Sequence, residues 1–170
     1  MRRMGRPVRR RGMTVPALLA ALTITACAAE VPSGPQTREP RSAGATGITI
    51  TIGEDTYAAT LADNPTARDF AAQLPLTLTF KDFNSVEKIA TLPLPLSTEG
   101  VPTGADPDIN DIGYYSPTND LVLYYGDVGY WDGIVRIGAV TEGMSSIARQ
   151  ADGFTATIAL VGPEQAQAKE

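Results

Sequence analysis

Histidine is absent from all 170 residues, and cysteine and tryptophan occur once each. Without histidine there is no Ser-His-Asp or Cys-His activation of a nucleophile, and no imidazole to hold a metal. A single cysteine excludes both a cysteine-based zinc site and an internal disulfide framework. Acidic residues are missing before Glu30, whereas six arginines (Arg2, Arg3, Arg6, Arg9, Arg10 and Arg11) crowd the start of the chain. Hydrophobic residues make up 43% of the sequence, enough for a packed core. The length suits one domain with appendages, at roughly 100–200 residues per domain.

Met13 to Ala26 is an uncharged run of fourteen residues behind that basic flank. A spanning helix needs about 20 apolar residues, so the run fits the core of a signal peptide instead. It ends Ile24-Thr25-Ala26-Cys27, which resembles a bacterial lipobox: an aliphatic residue, two small ones, then the cysteine that receives lipid. That resemblance implies a lipoprotein signal peptide over residues 1–26 and acylation of Cys27 as the mature N-terminus. Each buried methylene adds about 0.8 kcal/mol, so several acyl chains anchor a protein where one does not. The alternative is an ordinary cleavage at Ala-x-Ala with Cys27 incidental. Arg10-Arg11-Gly12-Met13 is a poor match to a twin-arginine motif. The expected location is the extracytoplasmic face of the cell membrane, held by lipid.

Beyond residue 26, eight basic residues face nineteen acidic ones, a net charge of −11. So acidic a domain has no basic patch for nucleic acid. Anionic headgroups would repel it, leaving the lipid as its only hold on a membrane. With no disulfide in an oxidising compartment, packing alone must stabilise the core.

Cys27 and the nineteen residues 28–46, with three prolines and two glycines, read as anchor and flexible linker. A coil of that length spans about 25 Å root-mean-square. From Gly47 the pattern turns to period two. Ile48, Ile50 and Ile52 alternate with threonines, Gly53-Glu54-Asp55 turns, and Tyr57, Ala59 and Leu61 follow, predicting a hairpin with one buried face. Asn64-Pro65 starts a helix as N-cap and first residue, with Ala67, Phe70, Ala71 and Leu74 on one stripe, and Pro75 stops it. Further strands are predicted at Leu76–Phe83, Val86–Leu92, Asp111–Ser116, Leu121–Tyr125, Ile134–Val140 and Phe154–Val161. A short helix is predicted around Met144–Arg149, a Gly-, Pro- and Asp-rich loop over residues 97–110, and a polar tail over residues 162–170. Pro93 and Pro95 forbid a central strand at Leu92–Leu96. Eight strands and two short helices in the 47–161 domain predict a mainly β fold, for which closure into a barrel removes the edges.

Several segments together resemble the bacterial cyclophilin-like fold family, whose functions are largely unassigned. They are Asp63-Asn-Pro-Thr-Ala-Arg-Asp-Phe70, Leu74-Pro75-Leu76, Glu87-Lys88-Ile89, Leu92-Pro93, Leu96-Ser-Thr-Glu-Gly-Val-Pro102, Asp111-Ile-Gly-Tyr-Tyr115, Asp120-Leu-Val-Leu-Tyr-Tyr125 and Ile134-Val-Arg-Ile-Gly138. The resemblance implies a closed eight-stranded barrel with two capping helices. Ser116-Pro-Thr-Asn-Asp120 departs from it, because relatives tend to carry Trp and Gly after that proline. Active cyclophilins resemble one another in an arginine within Phe-His-Arg that polarises the prolyl amide. Here that tripeptide is missing. At the comparable strand Val86-Glu87-Lys88 offers an ammonium, which does not reproduce a planar guanidinium fork. Peptidyl-prolyl isomerisation with an atypical site is therefore the alternative reading, and a structural part of an envelope assembly is another.

Five of the six tyrosines and the single Trp lie between Tyr114 and Trp131. On strands, the pairs Tyr114-Tyr115 and Tyr124-Tyr125 each send one ring in and one out. Rings with polar tips are common ligand contacts, and they also cover barrel rims. The residues expected to contact a small molecule or peptide are Tyr115, Tyr125, Tyr130 and Trp131, with Arg136 and Glu87 as polar orienters if register brings those two together. Asp106-Pro-Asp-Ile-Asn-Asp111 has the alternation of a calcium loop but fails the EF-hand pattern at Pro107, Asp111 and Pro117, and reads as a solvated acidic loop. Ser145-Ser146 has no base to activate it. No cofactor, metal or catalytic group is expected, and the balance leans against an enzyme.

Overall fold

The structure, a computed structural model, describes residues 46–162. The signal-peptide, Cys27 and linker readings up to residue 45, and the tail from residue 163, lie outside the described residues.

Alternating isoleucine and threonine builds β1 (Thr46–Ile52), which turns directly into β2 (Asp55–Leu61) with Ile52 opposite Asp55. The isoleucines are buried, and threonines carry the outer face, where the Thr51 and Thr56 hydroxyls meet at 3.2 Å. In α1 (Pro65–Gln73) the Asn64 side-chain oxygen accepts from the Ala67 N–H at 2.8 Å. The helix ends before Pro75 because Leu74, forced extended ahead of a proline, cannot continue it.

The remaining elements are β3 (Leu76–Phe83), β4 (Glu87–Thr91), β5 (Gly104–Ala105), β6 (Asp111–Tyr115), β7 (Asp120–Tyr124), β8 (Trp131–Asp132), β9 (Ile134–Val140), α2 (Met144–Ala148) and β10 (Phe154–Leu160). Eight strands close into an antiparallel barrel in the order β1-β10-β3-β4-β7-β6-β9-β2. The fold is mainly β, as the strand count predicts. One piece of the 97–110 loop departs from expectation: its Gly104-Ala105 pairs with β8 as a separate two-stranded ribbon. The fourth strand is also shorter than the expected Val86–Leu92; at its far end Asn119 holds both backbone groups of Leu92, its carbonyl accepting from the Leu92 N–H at 2.9 Å and its side-chain N–H donating to the Leu92 carbonyl at 2.8 Å.

Inward side chains of every barrel strand form one core, among them Ile50, Phe80, Leu121, Leu123, Ile137 and Ile158. Helix α1 follows the end of β2 and α2 the end of β9. Those strands run antiparallel, so the helices stop opposite ends of the cylinder with Phe70 and Ile147. At the α1 end, the Tyr114 hydroxyl accepts from the Leu96 N–H and donates to Asn119, both at 3.1 Å. The α2 end is sealed by a charge. Lys88 is buried and donates to Asp82 and to the Gln150 carbonyl, each at 2.8 Å.

Candidate functional site

Strand β7 (Asp-Leu-Val-Leu-Tyr) is apolar on both faces. Leu121 and Leu123 enter the barrel, so Val122 and Tyr124 must point out of it. There they form a second apolar cluster with Ile134 of β9, each of the three at most 4% exposed. Ile89 of β4 adjoins this patch, since β4 pairs with β7 as Ile89 opposite Val122 and Glu87 opposite Tyr124. The Tyr124 ring can pack against β6 as closely as it does only because Gly113 has no side chain. A Cβ there would sit 2.6 Å from Tyr124 Cε2.

The segment between β7 and β8 folds over part of this patch. Ribbon pairing of Ala105 with Trp131 fixes the main chain, and a Cβ on Gly104 would fall 2.5 Å from the Trp131 carbonyl oxygen. The Trp131 indole N–H donates to the Val128 carbonyl at 3.0 Å, which sets the ring's direction although the residue is 60% exposed. Between this segment, β3 and β4 lies a cleft of about 560 Å³. Its floor is Ile89, Val122, Tyr124 and Ile134, and Tyr115, Val128 and Trp131 contribute apolar surface. Phe83, itself an exposed apolar residue, also lines it.

Four charged side chains line the cleft: Lys81, Glu87, Asp120 and Asp127. Asp120 is already engaged, accepting from Thr91 at 2.6 Å and Thr118 at 2.5 Å. Asp127 accepts from the Gly129 N–H at 3.1 Å. Burial raises the Glu87 carboxyl above its ordinary value, and among the described residues no hydrogen bond or cation offsets the effect. Burial likewise pushes the Tyr124 phenol up, with the negative charge of Glu87 and Asp111 adding to it.

Residues 50–159 match the Cyclophilin-like family. The chain belongs to that family. The solution structure of a hypothetical protein from Archaeoglobus fulgidus is similar to it with a TM-score of 0.57 and 18% identity, covering 69% of this chain and 95% of that one. At that identity the likeness shows the fold alone. No curated protein matches the chain.

In this cyclophilin-like domain the six expected contact residues separate. Glu87, Tyr115 and Trp131 line the cleft. Tyr125 instead turns into the α2 end of the barrel, where its hydroxyl donates to Asp82 at 2.5 Å. Burial and that bond raise its pKa to about 12. Tyr130 does not line the cleft; its hydroxyl donates to Asp132 at 3.3 Å. Arg136 does not meet Glu87. Strands β6 and β7 separate β9 from β4, and the guanidinium pairs with Asp108 at 2.7 Å and Asp111 at 2.5 Å. The acidic loop is thereby folded onto Arg136, with the Asp108 N–H also donating to Asp111 at 2.9 Å.

Sequence reasoning did not single out Val122, Ile89 or Ile134, and of the pair Tyr124-Tyr125 it expected the second to make the contact. The available signal was the doubly apolar β7, since a strand buried on both faces needs a covering outside the barrel. Lys88 faces the interior, so of Val86-Glu87-Lys88 the ammonium is withheld from the outer face. Among the described residues the arginines are Arg68, Arg136 and Arg149, and none lines the cleft.

Proposed function

We propose that the domain is a non-catalytic binding module whose outer cleft takes a small ligand or peptide, displayed outside the cytoplasm by lipid on Cys27. The observation that carries this reading is the cleft itself: about 560 Å³ with a buried apolar floor and an exposed tryptophan at its side. Ligand sites commonly fall at roughly 300–1,000 Å³ with apolar walls and few polar groups. The same lining argues against prolyl isomerisation. Polarising an amide is best served by a fixed cationic donor aimed at the developing charge, and the charged groups of this cleft are three carboxylates and one exposed lysine.

Trp131 is the chain's single tryptophan, so its emission reports on this cleft alone. Titration with small aromatic compounds and short apolar peptides is expected to change that emission saturably. Tyr115→Ala should weaken the response, and Tyr130→Ala, whose ring lies outside the cleft, should not. Relaxation of a prolyl peptide in the presence of the protein is expected at the uncatalysed rate, and acceleration would overturn the non-catalytic part of the reading. Incorporation of labelled palmitate that disappears in Cys27→Ala tests the anchor; equal labelling of both chains would remove it.

A further inference from the structure

We propose that the cleft selects an organic cation, an ammonium or guanidinium on an apolar body, with the charge placed at Glu87 and the body against Tyr115, Tyr124 and Trp131. The proposal rests on the cleft being a binding site and adds the charge of what it binds.

Glu87 is the odd group in the lining. It sits on β4 directly opposite Tyr124, half-buried, and no ion pair or hydrogen bond reaches its carboxylate among the described residues. The other two carboxylates have hydroxyl or backbone donors. Lys81 is the lining's one cation; it is exposed and makes no ion pair among the described residues. The ionised lining is thus negative by two charges.

Each class of ligand meets a different consequence. An anion enters against that field. A neutral apolar ligand covers Glu87 and strips its remaining water, leaving a carboxylate without a partner, which is costly. A cation supplies the missing partner, and the rings of half-buried Tyr115 and exposed Trp131 favour the same sign of charge through their quadrupoles. Of the three, only the cation both gives Glu87 a partner and enters with the net charge of the lining, of which exposed Lys81 is the one opposing group.

The test uses the full chain and Trp131 emission with three probes that share a phenethyl body: phenethylamine, phenethyl alcohol and hydrocinnamate. Expected is binding in that order, the amine about tenfold tighter than the alcohol, the size of one charge-assisted hydrogen bond. Glu87→Gln should close the gap between amine and alcohol from both sides, weakening the amine, which loses its partner, and strengthening the alcohol, which no longer strands a carboxylate. Acetyl-Phe-Lys-amide against acetyl-Phe-Leu-amide distinguishes a peptide-borne cation from a free amine: a further gain for the lysine peptide over phenethylamine assigns the peptide source. Equal affinities for amine and alcohol, or a preference for hydrocinnamate, overturn the cation proposal and leave the cleft as a binding site. Failure of all probes and peptides to perturb Trp131 overturns the binding reading as well. The wild-type series decides the matter by itself should Glu87→Gln unfold the chain.

Discussion

The Lys88 ammonium lies 2.8 Å from an Asp82 carboxylate oxygen, with the lysine side chain 3% exposed and the aspartate 29%. The two partners are therefore not equivalent. Removing the aspartate strands a charge inside the barrel end, with the Gln150 carbonyl and the Tyr125 ring, 5.6 Å away, as its remaining company. Removing the lysine leaves a carboxylate that water, Tyr125 and the Ser85 N–H still satisfy. Asp82→Ala is expected to cost about 3–5 kcal/mol. Lys88→Met, which keeps the stem's volume, is expected to cost less than about 1.5 kcal/mol. Urea unfolding of the two variants checks the asymmetry; equal losses would show that the stem's packing, not the charge, matters.

The same pair sets an acid limit. The hydrogen bond from Lys88, then that from Tyr125, hold the folded Asp82 carboxyl below its ordinary 3.8. Its contribution to stability is complete above that value and is lost as the pH falls below it through the folded pKa. Wild type and Asp82→Asn should differ most near neutrality and converge in acid. A gap that stays constant down the acid limb of the unfolding curve contradicts this.

Gly113 and Tyr124 are coupled by contact. A methyl at position 113 would overlap the Tyr124 ring at 2.6 Å, and that ring is 1% exposed with little room to move. Gly113→Ala is expected to cost about 1–3 kcal/mol through overpacking. In the Tyr124→Leu background the same change should cost about 1 kcal/mol less. Thermal unfolding of the four members of the cycle measures the difference, and additivity would separate the two residues.

Amine binding should depend on pH through Glu87. Desolvation raises this carboxyl above 4.5, so it takes up its proton earlier in an acid titration than a solvated glutamate does. Phenethylamine affinity is expected to be constant near neutrality and to fall once the pH reaches that raised value, while phenethyl alcohol affinity stays flat or rises. Parallel profiles for the two probes would assign the pH dependence to some other group.

Much of the fold is legible along the chain. Isoleucine-threonine alternation builds β1, Asn64-Pro65 starts α1 with the expected cap, and Pro75 follows its end. Half of the expected contact residues also line the cleft. The ribbon of β5 and β8 was not legible, because two-residue strands have no periodicity to read. Nor was the inward turn of Lys88, since a charged residue buried by a partner on another strand carries no local mark.

What the sequence by itself determined is the alternation: in Tyr114-Tyr115 and Tyr124-Tyr125 one ring must enter the barrel and its neighbour must leave it. Which ring does so was decided only by closure of the sheet. Tyr114 goes in and Tyr115 out, yet Tyr124 goes out and Tyr125 in, because register places Leu123 opposite Lys88 and Tyr124 opposite Glu87. Both faces of β7 are apolar, so hydrophobic period cannot choose between them. The choice belongs to the neighbouring strands, which bring distant residues into one surface through hydrogen bonds that no local pattern contains.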